Sequence, residues 1–95
     1  MENAKMLLCS FKEKIEKILV EFSVNEENAL SLIKDLKEDL GKKYQVGDDG
    51  ELFEACVYNA LATINTVPNQ NKKSDQLVFA LVEAKDEIKA IAEIM

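Results

Sequence analysis

The sequence contains no histidine and no tryptophan, and all twelve of its basic residues are lysine, so arginine is missing too. Each absence removes a class of chemistry. Without histidine the chain lacks the commonest general base and transition-metal ligand. Without arginine it cannot grip a phosphate or carboxylate through a two-pronged guanidinium contact. Proline occurs once and glycine three times, so the chain has few points at which a long helix must break. The two cysteines, Cys9 and Cys56, are too few and too far apart for a disulfide framework, and both are expected as free, small apolar residues. No apolar run approaches the ~20 residues of a membrane span. Met6 to Cys9 is also too short for the core of a secretion signal, which places the chain in the cytoplasm by expectation.

What is present describes one small globular domain spanning residues 1–95, with 47% apolar and 32% charged residues. Eighteen acids against twelve lysines give a net charge of −6. Such a surface repels nucleic acid and anionic lipid, so neither is expected as a partner.

Apolar spacing is helical four times over and never sustains a strand period. The first helix is expected from about Ala4 to Phe22, with Leu8, Phe11, Ile15, Ile18 and Phe22 on one stripe. Lys12–Glu16, Glu13–Lys17 and Lys17–Glu21 are opposite charges four apart on its other faces. The break that follows offers two starts for the next helix: Ser23 with Glu26 has capping-box spacing, and Asn25 competes as N-cap. The second helix runs from about Glu26 to Leu40, with Ala29, Ile33, Leu36 and Leu40 inward and Gly41 as its natural C-cap. A polar loop spans 42–50. The third helix runs from Asp49 or Gly50 to Thr66 on Phe53, Val57, Ala60, Ile64 and Val67, and Pro68 stops it. After a loop to Lys73, the fourth starts at Ser74 as N-cap and carries Leu77, Leu81, Ala84, Ile88, Ile91 and Met95. Steps alternating between 3 and 4 suit helices crossing at about 20°, and short connections favour antiparallel neighbours. The expected fold is all-α, an up-down-up-down antiparallel four-helix bundle, with the 42–50 loop as the place where another connectivity would enter.

Tests for chemistry mostly fail. Gln45 to Cys56 has the glycine of a calcium loop at its sixth position, Gly50, but no carboxylate at its first or twelfth. The cysteines have no histidine to activate them. The acids of the second and fourth helices (Asp35, Glu38, Asp39; Glu83, Asp86, Glu87) fall mainly off the apolar stripes and read as solvated faces. Glu51 and Glu54, three apart, leave a Mg²⁺-dependent carboxylate-rich nucleotide hydrolase as the alternative function. Asp48, Asp49, Glu51 and Glu54 hold −4 of the net −6. Acids collect at a helix N-terminus because the dipole favours them there. An acidic knob for a basic partner is the second reading.

One stretch departs from expectation. From Ala55 to Asn71 no residue is charged. Ala55, Tyr58, Ala62, Asn65 and Thr66 turn away from the core stripe, where lysine and glutamate are usual. Leu77 to Val82 is apolar all the way round, and Phe79 points nearly opposite Leu77 and Leu81. Interfaces are poor in charge and rich in tyrosine, so these six residues form the candidate protein contact. An uneven bundle that buries the third helix, with Phe79 over a loop, would explain the same pattern. A two-fold self-contact would bring Ala55, Tyr58 and Ala62 against their copies, with Tyr58 as anchor.

In size and helix count the chain is similar to the small bacteriocin immunity proteins, which are cytosolic antiparallel four-helix bundles. It also resembles the small acidic inhibitors of phages and mobile elements. The first likeness is of architecture and the second of size and acidity. With catalytic residue types missing and a neutral helical face present, the expectation is a non-enzymatic helical module that binds another protein or itself, without cofactor or metal. The secreted helical-hairpin proteins of similar length carry a Trp-x-Gly turn, which a chain without tryptophan cannot make.

Overall fold

The computed structural model describes residues 3–67 and 74–95. It contains four α-helices: α1 (Ala4–Phe22), α2 (Glu26–Leu40), α3 (Gly50–Asn65) and α4 (Ser74–Ile94). A single 3₁₀ turn, Gly47–Asp49, leads into α3. They form an antiparallel four-helix bundle in which α4 packs against α1 and α3, and α1 against α2. The loop expected from Pro68 to Lys73 and the side chain of Ser74, the expected cap of α4, lie outside the described residues.

Local chemistry sets the ends. Asn3 caps α1, its Oδ1 accepting from the Met6 amide at 3.0 Å. Of the two starts offered for α2, the structure uses Asn25, whose Oδ1 accepts from the Asn28 amide at 3.2 Å. The capping box at Ser23 does not form, and the backbone explains why. An N-cap needs extended dihedrals. Asn25 has them (φ −152°, ψ 98°), whereas Ser23 is still helical (φ −88°, ψ −9°) and closes α1. Its hydroxyl instead donates to the Val20 carbonyl at 2.8 Å. Gly41 ends α2 as expected, but with φ −83°, so its left-handed freedom goes unused there. That freedom is used at Gly47 (φ 72°), where the chain reverses into the 3₁₀ turn.

The core follows the stripes closely. Leu8, Phe11, Ile15 and Ile18 of α1 are buried, as are Ala29, Ile33, Leu36 and Leu40 of α2. So are Phe53, Val57, Ala60 and Ile64 of α3, and Leu77, Leu81, Ala84 and Ile88 of α4. Phe22, Val67, Ile91 and Met95 pack at its edge, half-buried. At the end of α4, Ala92 rather than Ile91 is buried. A straight helix drifts by about 20° per heptad against a 3.5-residue repeat, and over the length of α4 this carries the stripe one residue onward.

The 42–50 loop is not wholly polar in its role. Tyr44 turns inward and meets Phe11 edge-on at 5.9 Å and Phe53 at 5.8 Å between ring centroids. Its hydroxyl donates to the Asp39 carbonyl at 2.9 Å. The loop thus ties the end of α2 to α1 and to the start of α3. Ionic contacts are sparse by comparison. Among the expected charge pairs of α1, Lys12–Glu16 closes at 4.0 Å, while Glu21 accepts from the Asn28 amide side chain at 2.7 Å. Asp39 joins Lys14 at 2.9 Å and Lys42 at 3.1 Å.

Candidate interaction surface

The phase of α3 builds this surface. Its core stripe occupies one side, and at 100° per residue Ala55, Tyr58, Ala62, Asn65 and Thr66 fall on the other. All five are exposed, Tyr58 to 73% of its area. The alternative in which an uneven bundle buries this side of α3 is therefore overturned. Asn59 and Leu52 are exposed beside them and extend the face toward α4. Neither stood out in the sequence, because Asn59 is unremarkable alone and Leu52 neighbours the core residue Phe53. Their spacing from Ala55, three behind and four ahead, was the available signal.

Phe79 of α4 is 66% exposed. It lines an open groove with Thr66, Val67, Asp75, Gln76, Ala80 and Glu83, so the outer sides of α3 and α4 meet there. Two hydroxyls on this side are already satisfied internally. Thr63 donates to the Asn59 carbonyl at 2.8 Å, and Thr66 to the Thr63 carbonyl at 2.6 Å. Covering them would strand no donor.

The acids adjoin this face at its N-terminal end, Glu51 four residues before Ala55 and Glu54 four before Tyr58. Asp48, Asp49, Glu51 and Glu54 are exposed at the N-terminal end of α3, and among the described residues none lies in an ion pair. Asp49 sits at the N-cap position but makes no side-chain bond to the helix, since its dihedrals (φ −88°, ψ 8°) are not those of a cap. The helix dipole remains the physical reason for acids there.

The described core holds no buried polar or charged residue, and no three acids or cysteines converge as metal ligands among the described residues. Cys56 is buried against α4, and burial, with Glu87 adding to it, pushes its thiol up to about 11. Cys9 is half-buried, and both cysteines are free. No described helix is long and apolar enough to cross a membrane. Compared with protein-family models, with curated proteins and with solved structures, the chain matches none.

Proposed function

We propose that this chain is a non-enzymatic helical interaction module, of the immunity, inhibitor or adaptor kind, that holds a protein against the outer face of α3. The observation that carries this reading is Tyr58, 73% exposed on the stretch of the outer face from Ala55 to Thr66 that holds no charge. A tyrosine standing in water on such a face is the residue type that anchors protein contacts, since its ring contributes apolar area at low entropic cost. Phe79 supports the same side of the molecule. The acidic remainder keeps the protein apart from nucleic acid and other acidic surfaces.

Site-specific photo-crosslinking tests this. A photoreactive phenylalanine analogue placed at position 58 should give discrete protein adducts in the cells that make the chain. The same analogue at Lys17, on the charged side of α1, should give none. Equal labelling from both positions, or none from position 58, would refute the reading. Neighbouring genes would then separate immunity from inhibition.

A further inference from the structure

We infer that the occupant of the α3 face is a second copy of this chain, its α3 lying antiparallel to the first across a two-fold axis. This rests on the preceding reading and names the partner.

The argument begins with spacing. Ala55, Tyr58, Ala62 and Asn65 step by 3, 4 and 3, a heptad seam on the side of α3 opposite its own core. All four are exposed. Small and large residues alternate along the seam. In an antiparallel pair with full overlap, Tyr58 lies over Ala62 of the second copy, and Ala55 over Asn65. Each ring then enters the space left by a methyl group, twice, by symmetry. A parallel two-fold pair would set Tyr58 against Tyr58 and leave gaps at both alanines.

Charge selects the same arrangement. The chain carries −6, and residues 47–54 hold −4 of it at one end of α3. The seam is the stretch along which two such chains can touch without opposing like charges. Parallel helices would place the two acidic ends side by side. Antiparallel helices separate them by about 25 Å, at 1.5 Å per residue. That is roughly three screening lengths at physiological salt. Thr63 and Thr66 already spend their hydroxyls on the Asn59 and Thr63 carbonyls, so covering these two leaves neither unpaired.

Sedimentation equilibrium of the purified chain and two variants tests this. The parent should be a dimer. Ala62→Glu should weaken association about a hundredfold, because it buries an unpaired carboxylate against the Tyr58 ring of the other copy. Tyr58→Lys should do the same, and both variants should keep their helix content, since glutamate and lysine are good helix formers. Mixed in equal amounts, the two should recover a heterodimer, the introduced carboxylate facing the introduced ammonium as the antiparallel register requires. A parent that stays monomeric at millimolar concentration overturns the second copy. A foreign adduct from position 58 would then leave the interaction module standing. A dimer indifferent to both substitutions, or variants that fail to recover on mixing, overturns the seam.

Discussion

Asp39 shows what a single side chain contributes here. The Lys14 and Lys42 ammonium groups that donate to it hold its carboxyl below the ordinary value. A carboxyl lowered on folding adds stability that is complete above its unfolded pKa, about 4, and disappears as pH falls through the lower folded value. Asp39→Asn should therefore lower stability at neutral pH, where the contribution is complete, and leave the acid end little changed, so that the acid side of the stability–pH curve flattens. The pair with Lys14 is partly exposed and screened, so less than about 1 kcal/mol is at stake. Chemical melts at pH 3 and pH 7 of parent and variant measure it, and a loss that is equal at both pH values would show that the carboxylate has no such role. The cysteines give a second contrast. With its thiol near 11 and buried between α3 and α4, Cys56 should resist iodoacetamide in the native protein at pH 8. Half-buried Cys9 should label first, and Cys56 only in denaturant. Mass spectrometry of the native protein showing Cys56 alkylated as fast as Cys9 would mean that the α3–α4 contact opens freely.

Helix ends were legible wherever the stripe stopped at a residue with its own backbone preference. Asn25, Gly41 and the stretch before Pro68 all mark ends that the structure keeps. Where two signals competed, spacing alone could not decide. Ser23 with Glu26 fits the capping-box rule, but the rule says nothing of the dihedrals, and Ser23 is still helical. Tyr44 was not legible for a different reason. A lone aromatic among Lys42, Lys43 and Gln45 belongs to no period, and only the fold brings Phe11 and Phe53 to either side of it. The α3 face was legible because it is the complement of the core stripe. Its meeting with Phe79 was not, because that depends on how α3 and α4 pack. The role given to Tyr44 yields a prediction. Tyr44→Phe should lose about 1 kcal/mol, the net value of the bond to the Asp39 carbonyl. Tyr44→Ala should lose roughly 3 kcal/mol, because two edge-on ring contacts go with it. Denaturant midpoints that are equal for both variants would reduce the loop's anchor to the hydrogen bond alone.

At the scale of the molecule, charge and shape together decide how two copies meet. The bundle measures 39 × 22 × 20 Å, so copies packed side by side along α3 have their centres about 20 Å apart. Two charges of −6 at that separation repel by about 7 kcal/mol in unscreened water. At about 0.05 M salt the screening length is roughly 14 Å, which leaves about 1.7 kcal/mol. At about 0.5 M it falls to roughly 4 Å, and the repulsion drops below about 0.1 kcal/mol. The seam itself contains no charge, so nothing favourable is screened away as salt rises. Self-association through α3 should therefore tighten roughly tenfold between those two concentrations, since about 1.4 kcal/mol is a factor of ten. A contact in which the acids at 47–54 meet lysines would respond oppositely, because its attraction is what salt removes. Dissociation constants from sedimentation at the two salt concentrations separate the cases. Association that weakens with salt would move the interface from the uncharged side of α3 to its acidic end.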